Sequence, residues 1–159
     1  MAPLTEAQIR KAFVNQSKGQ STRMNLPDLS AQTWEDLDFL GWFDPRSPTR
    51  TYLVTERACE VRGVAMRITQ GAASRGRKSM CDLCLTVGPV ALMVAPRAGR
   101  SGQQGDSVGL YACTDLACSL YVRNKRKVDT PVVQETLTVD QRVARLTANV
   151  DTFLARVTR

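Results

Sequence analysis

Met80-Cys-Asp-Leu-Cys-Leu85 and Tyr111-Ala-Cys-Thr-Asp-Leu-Ala-Cys-Ser119 carry Cys81, Cys84, Cys113 and Cys118, four of the five cysteines in a chain of 159 residues. Two close pairs, with residues 85–112 between them, are the pattern of a tetrahedral zinc site. Each pair supplies one chelating edge, and the intervening chain folds back to bring the edges together. Four thiolates close the coordination sphere and leave no position for a substrate, so the expected metal is one structural Zn2+ that holds a surface in shape.

Outward from the first pair, Val90-Ala-Leu-Met-Val-Ala95 reads as an apolar strand, and Val108-Gly-Leu-Tyr-Ala112 as a strand returning to Cys113. Thr114 reads as the N-cap of a helix that carries Asp115 in its first turn and Cys118 as a ligand, and that continues through Leu120, Tyr121 and Val122 to Asn124-Lys-Arg-Lys127. A knuckle, a hairpin and a ligand-bearing helix make a treble clef. Residues 70–78 and 97–107, rich in Gly, Ser, Gln and Arg and without periodicity, read as exposed loops.

Upstream, Arg50-Thr-Tyr-Leu-Val-Thr-Glu56 and residues 58–68 predict a β-hairpin. Cys59 lies outside the pairs and is expected as a small buried apolar residue in a strand. Thr5-Glu-Ala-Gln8 and Thr138-Val-Asp-Gln141 are capping boxes. The first predicts a helix that stops near Gly19, with Ile9, Ala12, Phe13 and Gln16 inward. The second predicts a helix with a stripe of Val143, Leu146, Val150, Phe153, Leu154 and Val157, whose simplest partner is the N-terminal helix. Between them Trp34, Leu37, Phe39, Leu40, Trp42 and Phe43 form either a hydrophobic plug on the sheet or an exposed recognition patch. The fold class expected is α+β: a small antiparallel sheet with a treble-clef, four-cysteine zinc finger, flanked by packed N- and C-terminal helices. Residues 1–45 read as a helical segment, 46–137 as the β-rich zinc-binding domain and 138–159 as the closing helix, together one compact unit.

Composition narrows the class. An apolar fraction of 43% and a charged fraction of 23% are those of a folded globular chain. The formal charge of +7 favours polyanionic surroundings such as RNA, the ribosome or an acidic protein. No initial apolar run has signal-peptide character and no stretch approaches the roughly 20 apolar residues of a membrane span, so a cytosolic protein without a membrane partner is expected. In that reducing compartment the cysteine pairs favour metal over disulfides. The chain has no histidine, hence no imidazole base or Cys-His nucleophile, and no Gly-x-x-x-x-Gly-Lys phosphate loop. Glu56, Glu60, Asp106 and Asp115 read as surface carboxylates. A non-enzymatic protein without a small-molecule substrate is expected, with a redox role for Cys81 and Cys84 as the enzymatic alternative.

The order of these motifs resembles the elongation-factor-G-binding family, best known for the fusidic-acid-resistance proteins. The likeness spans nearly the whole chain: a Gln8-Ile-Arg-Lys-Ala-Phe13 helix, Phe39-Leu-Gly-Trp42, the strand from Arg50 to Val54, the paired cysteines with Val90-Ala-Leu-Met93 between them, Gly109-Leu-Tyr-Ala-Cys113, and a closing helix with Phe153. The resemblance is to a compact form, since the resistance proteins carry a further helical segment before the matched part. It implies a zinc-binding region that contacts elongation factor G and helps release it from the ribosome. It also implies that Tyr111 and Phe153 stand at binding positions, with Met80 where the family has an aromatic residue and Val108 where it has a basic one. Each aromatic has a structural alternative, Tyr111 in the zinc-domain core and Phe153 in the helix stripe.

A second class is a ribosome- or RNA-binding zinc protein. Its candidate phosphate contacts are Arg75, Arg77 and Lys78, Arg97 and Arg100, and Lys125, Arg126 and Lys127, the last three reading equally as a solvated helix end.

Overall fold

The computed structural model describes residues 1–68, 77–128 and 135–159, with Arg77 described by its backbone only. The expected loop at 70–78 therefore lies largely outside the described residues. Among these residues six antiparallel strands form one sheet: β1 (Leu40–Asp44), β2 (Ser47–Arg57), β3 (Glu60–Ile68), β4 (Arg77–Met80), β5 (Val87–Pro96) and β6 (Ser107–Cys113). The order is β1-β2-β3-β5-β4, and β6 runs along the other edge of β5. Val90 shows why β5 is central to the metal-bearing end, since it faces Arg77 of β4 on one side and Cys113 of β6 on the other. The hairpin expected over 50–68 is present. Residues 40–44, placed in a helical segment on sequence grounds, are the edge strand β1, with Trp42 opposite Tyr52.

Alternation along β2 sorts the core into two halves. Successive strand side chains point to opposite faces. Leu53 joins Val64, Met66, Met93, Leu110 and the four paired cysteines on one face, whereas Tyr52 and Val54 join Trp34, Leu40, Trp42 and Ile9 on the other. Both tryptophans are thus buried, and the exposed-patch alternative for this stretch falls. Their ring N–H groups are satisfied within the fold, Trp34 donating to Leu29 O (3.1 Å) and Trp42 to Asn25 O (2.9 Å). Phe13 stands edge-on to Tyr52, ring centroids 5.6 Å apart, and Trp42 lies 5.0 Å from Tyr52.

The N-terminal helix α1 (Glu6–Lys11) starts at the Thr5 capping box but ends well before Gly19. Sheet pairing overrides the helical pattern: Gly63 N donates to Ala12 O (2.8 Å) and Val14 N to Gly63 O (3.0 Å), stitching Phe13 to β3. Gly63 permits this approach, for a Cβ there would stand 3.2 Å from the Phe13 ring. A second capping box, Ser17 with Gln20, then starts α2 (Lys18–Arg23), which places Gly19 inside a helix. A short helix α3 (Gly99–Gln103) occupies part of the stretch read as a loop.

The closing helix α5 (Val139–Thr158) begins at the Thr138 box as expected and buries Leu146, Val150, Phe153, Leu154 and Val157. Its partner differs from the expectation. The stripe packs with the metal-side cluster, alongside α4 (Cys118–Val122), β3 and β6, while Ile9 of α1 belongs to the aromatic cluster on the opposite face. The sheet separates the two terminal helices. Cys59 also departs from its reading. It is exposed at the β2–β3 turn, where Ala58 and Cys59 have φ of 48° and 64°, the two left-handed residues of a type I′ turn.

Candidate metal centre

Each cysteine pair is shaped by backbone hydrogen bonds. After β4 the chain turns at Cys81, whose N–H donates to Thr86 O (3.0 Å), and Leu85 N closes the knuckle on Cys81 O (2.9 Å). Leu85 holds φ at 59°, a left-handed position that glycine fills more readily. In the second pair Cys113 is the last residue of β6 and Cys118 the first of α4. Leu116, with φ of 54°, turns the chain between them as its N–H donates to Cys113 O (3.0 Å). The expected Thr114 cap is replaced. Ala117 is the N-cap, and the Asp115 carboxylate takes its N–H (3.0 Å), the Tyr121 hydroxyl (2.7 Å) and an ion pair from Arg126 (3.3 Å). Asp115, read as a surface carboxylate, braces the ligand loop. Burial and that hydrogen bond together raise the Tyr121 hydroxyl pKa above its ordinary value.

The four sulfurs lie within 4.8 Å of one another and all four residues are buried. Cys81 Sγ is 3.7 Å from Cys118 Sγ, and Cys84 Sγ is 3.6 Å from Cys113 Sγ. Zinc with bonds of about 2.3 Å in a tetrahedron sets its sulfurs about 3.8 Å apart, so these spacings fit the ion. Disulfides need about 2.05 Å, and these two contacts join one pair to the other rather than the two members of Cys81-Asp-Leu-Cys84. As bare thiols the set is electrostatically awkward. Hydrogen bonding from Cys113 first of all drives Cys84 far below the thiol range, while Cys118 is driven far above it by hydrogen bonding with Cys113 and by burial. A divalent cation that replaces the shared protons removes that conflict, and an all-sulfur tetrahedral set selects zinc over hard cations.

The sheet, the knuckle and the ligand-bearing helix define a treble-clef zinc-finger protein. The chain belongs to the family described as FBP C-terminal treble-clef zinc-finger, whose model matches residues 8–157. No individual curated protein matches the chain closely enough to add to that assignment.

The remaining candidates fall in different places. Met80 and Tyr111 are exposed, at 51% and 40% of their surface, beside the knuckle. Tyr111 is held there from both directions: Asp82 N donates to Tyr111 O (2.7 Å), and Tyr111 N donates to the Asp82 carboxylate (2.6 Å). Leu85, a large apolar residue at a left-handed turn position just after a ligand, is exposed beside them. Phe153 is corrected. Only 3% of it is exposed, because its stripe closes the metal-side core, so it offers no surface to a partner. Val108 is likewise core.

Among the basic candidates, Arg75 and the Arg77 side chain lie outside the described residues. Lys125 pairs with Asp36 (2.6 Å) and Arg126 with Asp115 (3.3 Å), while both basic side chains stay about half exposed. Arg97 donates to Arg156 O (2.5 Å) at the end of α5. Lys78, Arg100 and Lys127 are exposed, with no acidic partner among the described residues. No helix among the described residues is long and apolar enough to cross a membrane.

Proposed function

We propose that this zinc-binding protein is a non-enzymatic partner of elongation factor G, which it engages through the apolar surface beside the metal and helps to release from the ribosome in the cytoplasm. The reading rests on family membership and above all on Tyr111, an exposed aromatic whose backbone is clamped to the zinc knuckle through Asp82. An aromatic ring fixed in this way loses little entropy when a partner covers it. Met80 supplies an adaptable apolar neighbour. The zinc ion has no chemical step in this reading, and its role is to keep knuckle and strand in register.

Calorimetry with elongation factor G from the same organism tests the proposal. The zinc-loaded chain forms a complex, and Tyr111→Ala weakens it roughly 30-fold, the effect of losing an anchor worth about 2 kcal/mol. Absence of any complex at low salt rejects the reading. Fusidic acid protection of translating ribosomes, compared with and without the protein, then tests release separately from binding.

A further inference from the structure

A second site lies away from the metal, between the N-terminal segment and the sheet. Asn15, Gln16, Gln20, Arg50, Tyr52 and Arg67 line a cleft of about 90 Å3. Arg50 of β2 and Arg67 of β3 stand directly opposite each other. Like charges in that position repel and destabilise a sheet. Arg10, Arg57, Arg62, Arg123, Lys125, Arg126 and Arg145 each meet a carboxylate. Among the described residues neither Arg50 nor Arg67 does, and no acidic side chain lines the cleft. Asp44 lies behind Tyr52: its Oδ1 accepts from Asn25 Nδ2 (2.8 Å) and Arg46 N (2.9 Å), and its Oδ2 accepts from the Tyr52 hydroxyl (3.5 Å).

The wall facing the arginines is fixed. Asn15 Nδ2 donates to Ala65 O and Pro96 O, both at 2.9 Å, and its Oδ1 accepts from Ala65 N at 2.9 Å, which rivets the segment to β3 and β5. Gln20 uses its Oε1 to accept from Ser17 N (2.8 Å), which leaves its amide hydrogens as donors at the rim. The cleft thus combines two exposed guanidinium groups that form no ion pair among the described residues, Arg50 hydrogen-bonded to Tyr52, with a carboxamide donor and a rigid back wall.

We infer that this cleft binds a phosphate-type oxyanion, clasped by Arg50 and Arg67 from adjoining strands with Gln20 donating a further bond. A phosphate between two guanidinium forks turns their repulsion into paired charge-assisted hydrogen bonds. With a net charge of +7, the phosphate of a single-stranded RNA backbone is the expected source, and free inorganic phosphate offers the same chemistry. This contact is independent of the zinc surface and of elongation factor G.

The test uses the full zinc-loaded chain, the double variant Arg50→Gln/Arg67→Gln and the charge-matched control Lys11→Gln/Arg159→Gln, two exposed positions outside the cleft lining that should keep both responses. Binding of a labelled RNA oligonucleotide is followed by anisotropy over a series of KCl concentrations, and inorganic phosphate by its effect on the melting temperature. The double variant is expected to lose phosphate stabilisation, to bind RNA at least about tenfold more weakly, and to show a salt slope shallower by about 0.7 for each phosphate lost. It should melt no lower than wild type without ligand, since a repulsive pair has gone. Loss of the phosphate effect with unchanged RNA binding assigns the site to the free anion. The inference is overturned if the variant keeps both responses, or if wild type shows neither.

Discussion

The face of the sheet that carries Leu53, Val64 and Met93 is closed by four thiolates and a 20-residue helix, whereas the face that carries Tyr52 and Val54 is closed by aromatic rings and two six-residue helices. The first face concentrates its cohesion in one ion. Its ligands come from β6, α4 and the knuckle, elements that otherwise meet through few residues. The second depends on buried area and on satisfied indole N–H groups. A protein built this way has a metal-dependent face on a scaffold with a core of its own.

The sharpest way to break that contrast is to remove the zinc. Structural zinc in finger peptides contributes about 10–16 kcal/mol at neutral pH, far more than a domain of this size has to spare. Chelation, or Cys118→Ala, is expected to strip amide-exchange protection from β5, β6 and α4 first, with β1 and β2 around Trp42 outlasting them. Equal loss on both faces would mean that the aromatic core cannot stand without the metal side.

The next largest effect concerns the strap that joins the faces. Arg123 donates to both carboxylate oxygens of Asp38 (2.5 and 2.9 Å), Asp38 N donates to Ser119 Oγ (2.9 Å), and Thr55 Oγ1 donates to Asp38 O (2.9 Å). The hydrogen bond to Asp38 raises the Arg123 pKa further. Arg123→Ala leaves a buried carboxylate unpaired, and chemical denaturation should show a loss of about 3–5 kcal/mol. Replacing both partners by apolar residues should recover much of it.

A smaller, more local loss is expected at Gly41, where a Cβ would sit 2.7 Å from Leu116 Cβ. That leucine turns the second cysteine loop, so Gly41→Ala pushes directly on the metal site from β1. The cost should be about 1–3 kcal/mol, the usual range for overpacking, and it should appear together with weaker zinc retention against a chelator competitor. Unchanged zinc retention would show that Leu116 yields without moving Cys113 or Cys118.

Gly41 also marks the boundary of what the sequence made legible. Metal ligands, strands and capping boxes are local signals, because spacing, alternation and Thr-x-x-Gln each act within a few residues. The zinc ligands, the hairpin, β5, β6 and the start of α5 could be read for that reason. Which face a helix chooses is not local. The α1 stripe fits either core, and only the bridge from Phe13 to Gly63 decides it. Phe153 shows the same limit, since periodicity marks it as inward while the family resemblance marks it as a contact, and burial in the metal-side core favours periodicity. The anion cleft was invisible because Arg50 and Arg67 become neighbours only through strand register.

The smallest effect separates the two left-handed turns that carry ordinary side chains. Cys59 ends the β2–β3 turn in solvent, and Leu85 closes the zinc knuckle. A left-handed conformation costs a non-glycine residue roughly 1–2 kcal/mol, set against the greater freedom that glycine gives the unfolded chain. At Cys59 nothing else depends on the side chain, so Cys59→Gly is expected to raise stability by about 0.5–1 kcal/mol and leave both zinc and partner binding untouched. Leu85→Gly relieves the same strain but removes apolar surface beside Met80 and Tyr111. If the knuckle leucine is kept for contact, this variant should melt higher than wild type and yet bind elongation factor G more weakly. A rise in stability with full affinity would confine the contact to Met80 and Tyr111.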